Sequence, residues 1–312
     1  MKKFLISTGV FFVVAIVALV SLYFSLLYII RSKAEFKIKD TTSYIVLGPS
    51  HSACSFDDRY INNLENFSRS GESYCYTYIK LKKLVENNPG VKTVIVEFSN
   101  PFIYDSEEWL WSDKYIQYHY ITFVPFFTRD DNMILFRKHF KALIGSYPFY
   151  IKFAAKKIIN NDYEYAYNYG GHETRNDVFK KHEQDKDLEL GQLEVNVAFL
   201  DKIVEYCKKS NIRLIFLRSP MHQDFVYWQT ESEFQQIRKE RYGDVPFLDF
   251  GKFIVEDEYF ADYQHLNQNG AEFFSKTIDR IIGEGFINED YRFDTINQRN
   301  VSQFFESMYR SN

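Results

Sequence analysis

Three side chains of this sequence, a serine, a histidine and an aspartate, have the types needed for nucleophilic acyl transfer. Ser50 follows a short apolar run, whereas Asp262 and His265 lie three residues apart near the other end of the chain. A hydroxyl is a weak nucleophile unless a base takes its proton, and that base needs a third group to orient it. Asp262 can fix the tautomer of His265, and His265 can then activate Ser50. The sequence therefore predicts a catalytic set of Ser50, His265 and Asp262.

Acyl transfer also needs hydrogen-bond donors at the place where negative charge develops on the substrate oxygen. We expect these donors to be the backbone N–H groups of Ser50 and Gly71 and the side chain of Asn100. Each such donor typically lowers the barrier by about 2.7–4 kcal/mol. Gly71 has no Cβ atom, so its backbone can approach a substrate closely. Simpler roles stay open, because Ser50 also suits a helix N-cap and Asn100, before Pro101, suits a turn.

Short β-branched runs that end at turn residues precede most of these side chains. They are residues 43–47, 94–98, 213–217 and the weaker 245–249, with a second strand region at 66–70. Helix-like stretches with apolar residues three and four apart alternate with them, at residues 76–86, 195–209 and 270–282. This alternation indicates an α/β fold, a parallel sheet covered by helices on both faces. Such sheets bind ligands beyond the carboxyl ends of their strands.

The chain begins with an uncharged, mostly apolar run at residues 4–30, preceded by Lys2 and Lys3 and followed by Arg31. As a helix this run is about 40 Å long, enough to cross the ~30 Å hydrocarbon core of a bilayer with tilt. A cleaved signal peptide has a shorter apolar region, about 7–15 residues, and a small-x-small cleavage site. We therefore expect residues 1–33 to be a single transmembrane anchor in the membrane bilayer. The cations on its two sides do not decide its orientation.

The strand and helix pattern breaks between about residues 101 and 190, where aromatic and then basic residues are dense. We expect an aromatic-rich helical insertion that folds over the functional edge of the sheet, or else an ordinary helical subdomain. Trp109 and Trp111 in this segment are candidate substrate-binding rings, with packing as the alternative. His222, after a later strand, is a further candidate, with a plain loop position as its alternative. Residues 287–312 form a polar C-terminal tail of open role.

Composition excludes several classes of protein. The net charge of −4 provides no overall basic field, so we expect no nucleic acid partner. Three cysteines are too few for a disulfide scaffold, and Cys54 and Cys75 either pair or are buried thiols. Beyond Asp262 and His265 no further cluster has the spacing of metal ligands, so we expect no metal and no cofactor. The Gly-x-Ser-x-Gly elbow of α/β-hydrolases is excluded because position 52 is serine.

Four short motifs resemble the sequence blocks of the SGNH (GDSL-like) hydrolase superfamily. They are Gly48-Pro49-Ser50 for the first block, Gly71 for the second, Asn100 for the third and Asp262-Tyr263-Gln264-His265 for the fifth. Pro49 stands where the family has aspartate, and Phe98 and Pro101 replace two residues of the third block. The resemblance implies a three-layer, flavodoxin-like α/β domain over residues 40–286. It also implies the same catalytic residues and the same oxyanion donors as those named above.

Within the superfamily, the anchored chain looks most like envelope proteins that help to acylate polysaccharides, such as those of teichoic acid and alginate modification. That similarity implies a single-pass protein of the cytoplasmic membrane with an extracytoplasmic domain. The implied activity is that of a serine esterase or an O-acyltransferase on acylated carbohydrate, with an integral-membrane acyltransferase as a partner. The departures in the first and third blocks motivate an alternative, an inactive module of the same fold that binds glycan or scaffolds an envelope complex.

Overall fold

The computed structural model describes residues 1–104, 111–184, 194–253 and 256–283. The described strands are β1 (Tyr44–Leu47), β2 (Leu64–Asn66), β3 (Thr93–Glu97), β4 (Arg213–Arg218) and β5 (Phe247–Asp249). The longer helices are α1 (Lys2–Lys33), α2 (Ser50–Ser55), α3 (Tyr74–Asn87), α4 (Arg129–Gly145), α5 (Tyr147–Ile159), α6 (Glu194–Lys209), α7 (Glu231–Tyr242) and α8 (Gln268–Gly283). Short helical turns lie at Asp58–Tyr60, Pro101–Tyr104, Asp113–Tyr115, Ile116–Tyr120, Ile121–Phe123, Val124–Phe126, Val226–Thr230 and Asp257–Tyr259.

The elements form two compact units, which are described separately. The first unit contains residues 1–36 and 108–165, and the second contains residues 37–107 and 166–312. The second unit holds the sheet. Its five described strands are all parallel and lie in the order β2-β1-β3-β4-β5. In this order the winding reverses between β1 and β3, and open α/β sheets bind ligands beyond the strand ends at such a switch point.

Helices cover both faces of this sheet, as its apolar strands require. On one face α8 packs through Phe274 against a buried cluster that includes Ile215 of β4. The next residue of β4, Phe216, points to the other face because side chains alternate along a strand. There its ring stacks on Phe98 with 4.8 Å between centroids, and Phe234 of α7 lies 4.8 Å from Phe98. The sheet is thus the middle of three layers.

In the first unit, α1 exposes its apolar side chains from residue 4 to residue 22 almost without interruption. Burial begins at Tyr23 and continues at Leu26 and Ile30. At that point α5 packs against α1, and the ring of Tyr147 stacks on Tyr23 with 4.0 Å between centroids. Among the described helices, α1 is long and apolar enough to cross a membrane or to be a signal sequence.

The α/β fold with a flanked parallel sheet is confirmed. The predicted strands that became β1, β3, β4 and β5, and the helices α3, α6 and α8, agree with the structure to within two residues at each end. The second strand region was wrong, because β2 ends at Asn66 and a turn occupies residues 70 and 71. The predicted insertion is largely helical over residues 113–159, but residues 166–184 contain no helix and belong to the unit that holds the sheet. The tail at residues 287–312 lies outside the described residues.

Candidate active site

The serine, the histidine and the aspartate meet beyond the carboxyl end of β1. The Oγ atom of Ser50 lies 2.8 Å from Nε2 of His265. Nδ1 of the same ring lies 2.9 and 2.8 Å from the two carboxylate oxygens of Asp262. These are hydrogen bonds of ordinary length. In this arrangement His265 can take the hydroxyl proton of Ser50 while Asp262 orients the ring.

Ser50 is positioned by a tight turn between β1 and α2. A Cβ atom at Gly48 would lie 2.5 Å from both the Cβ of Glu97 and the Oγ of Ser52, so only glycine lets the turn approach β3 this closely. Ser50 is the first residue of α2 and stays partly exposed, whereas the rest of that helix is buried. The alternative role of Ser50 as an N-cap does not hold, because Pro49 occupies the cap position.

Asp262 also fixes the loop that carries His265. Its Oδ1 accepts the backbone N–H groups of Gln264 at 2.7 Å and of His265 at 2.9 Å. Burial acts to raise the pKa of Asp262, but the hydrogen bonds from His265 and Gln264 outweigh it and lower the pKa to about 2. The carboxylate is therefore ionised at neutral pH and can only accept. It follows that Nδ1 of His265 carries the ring proton and Nε2 is left to accept from Ser50.

A second imidazole, His51, lies directly behind the triad. It is fully buried and meets the ring of His265 edge-on, with 5.6 Å between centroids. Burial, together with the nearby His265, lowers the pKa of His51 to about 3, so this ring is neutral. Its Nδ1 is 4.0 Å from Oε1 of Glu97, too far for a hydrogen bond. Burial raises the pKa of Glu97 to about 7, although Ser219 donates two hydrogen bonds to it. His51 therefore packs behind the site as an uncharged ring.

Gly71 lies in a tight turn after β2. The N–H of Glu72 donates to the carbonyl of Arg69 at 3.1 Å, and the φ angle of Gly71 is +72°. A positive φ at the third position of a turn favours glycine. The carboxylate of Glu173 holds the residue before it, accepting the backbone N–H of Ser70 at 2.9 Å and its hydroxyl at 2.5 Å. The turn that carries the expected oxyanion donor is thus fixed by a residue about a hundred positions away.

The side chain of Asn100 is occupied elsewhere, which corrects the expectation that it donates to an oxyanion. It is fully buried, and its Oδ1 accepts a hydrogen bond from Nη1 of Arg218 at 2.9 Å. Its nitrogen lies 3.2–3.4 Å from the Tyr227 carbonyl, the Thr230 hydroxyl and the Glu231 carboxylate. The physical reason is Arg218, a buried cation at the end of β4 that must be surrounded by acceptors. The backbone N–H groups of Ser50 and Gly71 stay predicted oxyanion donors.

Two other candidate substrate-binding residues, His222 and Trp111, pack against neighbouring aromatic rings. His222 is buried, stacks on Phe179 at 4.1 Å and places Nε2 2.9 Å from Oδ1 of Asp257. Its backbone N–H donates to the Tyr263 carbonyl at 3.0 Å, inside the Asp262–His265 loop. His222 is therefore a buried support of that loop, which corrects its expected contact with substrate. Trp111 belongs to the first unit, where its ring stacks on His139 at 4.0 Å, and Trp109 lies outside the described residues.

Residues 170–184, which had no predicted catalytic role, form an extended strap beside the site. Gly171 and Glu173 donate backbone N–H groups to the carbonyls of Ser68 and Ala53, both at 2.9 Å. Further along, the carbonyl of Arg175 accepts the N–H of Gln268 at the start of α8. The paired glycines at 170 and 171 were the available signal, because such a pair marks a close backbone approach. A Cβ atom at position 170 would lie 2.4 Å from the carbonyl oxygen of residue 67.

The three cysteines, Cys54, Cys75 and Cys207, are all buried and free, so the pairing of Cys54 with Cys75 that was left open does not occur. Burial raises the pKa of Cys54 to about 11, although Arg175 donates a hydrogen bond to it. Within the described residues no group of three or more histidine, cysteine or carboxylate side chains is placed to hold a metal ion.

The fold is therefore a parallel α/β sheet with the serine after β1 and the Asp-x-x-His loop before α8. A scan of protein families matches one family model over residues 158–287; it carries no descriptive name and covers less than half of the chain. A sequence search finds no curated protein that matches.

Three solved structures with similar folds each share 10% sequence identity with the chain. A protein designated an acylhydrolase from Bacteroides fragilis gives a TM-score of 0.40, covering 81% of this chain and 92% of its own. A GDSL-like lipase from Bacteroides thetaiotaomicron gives 0.38, with 82% and 94% covered. A protein from Streptococcus pneumonia designated a platelet activating factor gives 0.41, with 88% and 99% covered. These similarities concern the fold and carry no information about a substrate.

Proposed function

We propose that the chain is a membrane-anchored serine esterase or O-acyltransferase that acts on acylated carbohydrate of the cell envelope. The observation that carries the proposal is the continuous hydrogen-bonded path from Ser50 Oγ through both nitrogens of His265 to Asp262. The nucleophile is partly exposed, whereas the ring of the base is largely buried, so a substrate can reach the hydroxyl without displacing the base. The site supports acyl transfer better than any other chemistry that these residue types allow.

In the first half of the reaction, Ser50 Oγ attacks the carbonyl carbon of the acyl group and its proton passes to Nε2 of His265. The carbonyl oxygen takes up the negative charge, and the backbone N–H groups of Ser50 and Gly71 stabilise it. The sugar oxygen then leaves, taking the proton back from Nε2. The acyl group stays as an ester on Ser50, and Asp262 stabilises the imidazolium that exists between these two proton transfers.

In the second half, an acceptor hydroxyl gives its proton to His265 and attacks the acyl carbon. The ester bond to Ser50 breaks, and the proton on Nε2 returns to Oγ. Water as the acceptor makes the protein an esterase, and a sugar hydroxyl makes it an O-acyltransferase. Both activities share the acyl-enzyme and differ only in the acceptor.

The membrane part of the proposal rests on α1. Its bare apolar stretch, residues 4–22, is about 28 Å long, which matches the ~30 Å hydrocarbon core of a bilayer. We place the sheet-bearing unit on the extracytoplasmic side, where envelope carbohydrate is found, and take an integral-membrane acyltransferase as the partner that supplies acyl groups.

The test is labelling of the detergent-solubilised full chain by a fluorophosphonate probe, which reacts with activated serines. We expect the wild type to be labelled, Ser50→Ala to be unlabelled and the exposed-serine control Ser232→Ala to be labelled like wild type. Circular dichroism of each variant shows that the fold is retained. Undiminished labelling of a folded Ser50→Ala chain would refute the proposal.

A second candidate function, glycan binding without catalysis, is favoured by one observation. The Asn100 amide is engaged by Arg218, Thr230 and Glu231, so the site lacks the side-chain oxyanion donor that the third block implies. This candidate predicts that Ser50→Ala retains full glycan binding and full activity in the cell. Loss of cellular activity in a folded Ser50→Ala chain excludes it.

A further inference from the structure

Helix α4 of the first unit exposes a row of large apolar side chains. Met133, Phe136, Phe140 and Ile144 are 48%, 39%, 52% and 52% exposed. Their spacing of three, four and four residues is that of one helix side, and the rings of Phe136 and Phe140 meet edge-on at 5.0 Å across the kink. The same helix buries Leu135 and Leu143, so its ordinary core-facing side is already satisfied. The exposed row, here called the α4 stripe, crosses the kink at His139 and continues on both sides of it. Helices of soluble proteins rarely expose a second apolar side of this size to water.

Cations accompany the α4 stripe. Arg137 and Lys141, each directly after a stripe phenylalanine, are exposed, as is Arg129 at the start of the helix. Asp130 is an exposed acid of this helix, whereas Asp131 is buried in the N-terminal capping box. Apolar side chains flanked by lysine and arginine are the composition of helices that lie in the headgroup region of a bilayer.

The position of α4 along the chain places it at the membrane boundary. The chain passes from α4 through Ser146 into α5, where Tyr147 stacks on Tyr23 of α1 at 4.0 Å. Tyr150 meets Tyr23 edge-on at 5.2 Å. Tyr23 comes where the bare apolar stretch of α1 ends, and tyrosines are enriched at membrane–water interfaces. Ile144, the last residue of the stripe, is only three residues from this cluster of tyrosines.

We propose that α4 lies in the surface of the bilayer that α1 spans, with the α4 stripe among the lipid acyl chains and Arg137 and Lys141 at the phosphates. The proposal rests on the anchoring part of the proposed function. Its occupant is a phospholipid surface, because the stripe ends next to α5, which packs on the proposed membrane span α1 in the same unit. The surface contains anionic lipid because exposed Arg137 and Lys141 flank the stripe. A second copy of the chain is the competing occupant, and the experiment separates the two.

The experiment uses the full chain in vesicles of phosphatidylcholine and phosphatidylglycerol. A thiol-reactive fluorophore is attached to single introduced cysteines in Phe140→Cys, Lys138→Cys and Phe12→Cys. The three native thiols are buried, and wild type treated in parallel gives the background. Lipids with a nitroxide near the headgroup or deep in the acyl chain serve as quenchers. Lys138 is the matched control because it is also exposed on α4 but lies two residues away, on a different side of the helix.

We expect shallow nitroxide lipids to quench the label of Phe140→Cys more than that of Lys138→Cys, and deep ones to quench the label of Phe12→Cys. Equal quenching at positions 140 and 138, with position 12 still quenched, overturns the proposal and leaves the anchor intact. A label at position 140 that is protected from aqueous iodide yet unaffected by lipid quenchers identifies a protein occupant and also overturns it. An unquenched label at position 12 refutes the anchor itself.

Discussion

At the scale of the residue, the proposed chemistry depends on the ring of His265, whose two nitrogens have different partners. Asp262, with its pKa lowered to about 2, keeps the proton on Nδ1 of His265, and this leaves Nε2 basic toward Ser50. A carboxylate is needed for this purpose because it has no proton to donate. The exposed fraction of its side chain, 40%, shows that hydrogen bonds rather than isolation from water set its charge.

Asp262→Asn tests this division of roles. The amide preserves the shape but can donate to Nδ1, which leaves the proton on Nε2 and removes the base. We expect kcat for an activated aryl ester to fall by about 10⁴-fold with little change in KM. Asp244→Asn, at an exposed acid outside the site, is the control and is expected to behave as wild type. A loss of less than tenfold in a folded Asp262→Asn protein would contradict the assigned role.

Glu173 is a positioning residue for the turn that carries Gly71. In Glu173→Gln the carboxylate is replaced by a weaker acceptor for the N–H and hydroxyl of Ser70. We expect kcat to fall by about tenfold, which corresponds to about 1.4 kcal/mol, while KM stays near the wild-type value. Ser70→Ala, which loses only the hydroxyl bond, is expected to show a smaller fall. An effect confined to thermal stability would make Glu173 a purely structural residue.

The sequence was sufficient to predict that Ser50, Asp262 and His265 come together, because their types and their order along the chain suit one kind of chemistry. Their catalytic role stays a prediction. The sequence was not sufficient for Asn100 or Glu173. The partners of Asn100 are a buried arginine and residues about 130 positions away, and only the folded sheet shows that they compete for its amide. Glu173 lies in a polar stretch without periodicity, where the glycine pair at 170 and 171 marks a close backbone approach but does not indicate the side-chain bond to Ser70.

At the scale of the element, the strands that were predicted well are those with continuous apolar runs, as expected for central parallel strands. β2 failed because it is a three-residue edge strand, Leu64–Asn66, that contains a single large apolar residue. β3 ends at Glu97, an acidic residue that is fully buried. Glu97 must enter the interior beside Ser219, and it does so most favourably as the protonated acid.

This buried acid predicts a pH dependence of stability. The pKa of Glu97 is raised from 4.5 to about 7, so between these values the unfolded chain releases a proton that the folded protein keeps. Stability therefore falls as pH rises through this window, by about 3 kcal/mol at 1.36 kcal/mol per pKa unit. Glu97→Gln cannot ionise and still pairs with Ser219. We expect its thermal unfolding midpoint to vary less between pH 4.5 and pH 7 than that of wild type, and parallel curves would refute this explanation.

At the scale of the whole molecule, the chain combines an α/β unit with a separate unit built on α1. The sequence predicted that residues 113–159 are helical, but it did not predict that they belong to the unit built on α1. That membership depends on contacts such as the packing of Tyr147 on Tyr23, which joins positions more than a hundred residues apart. The unit boundary at residue 165 likewise has no marker in the sequence.

A retained α1 predicts the behaviour of the native protein in cells. We expect the chain to stay in the membrane fraction after washing at alkaline pH, and its intact mass to include residues 1–33. Detergent extraction is the positive control for release. Recovery of a chain shortened by the length of α1 would show that this helix is a cleaved signal sequence, because a signal sequence can have the same length and apolar composition.

The stacking of Tyr147 on Tyr23 has a consequence for the choice of membrane. In the proposed anchor, α1 can slide along its axis into a thicker bilayer only by drawing α5, which packs on it at this point, toward the lipid. The proposed span then keeps a hydrophobic length of about 28 Å, and we expect a thicker bilayer to thin around it, at a fraction of a kcal/mol for each Å. We therefore expect the proposed anchor to favour thin bilayers over sterol-rich or otherwise thickened domains.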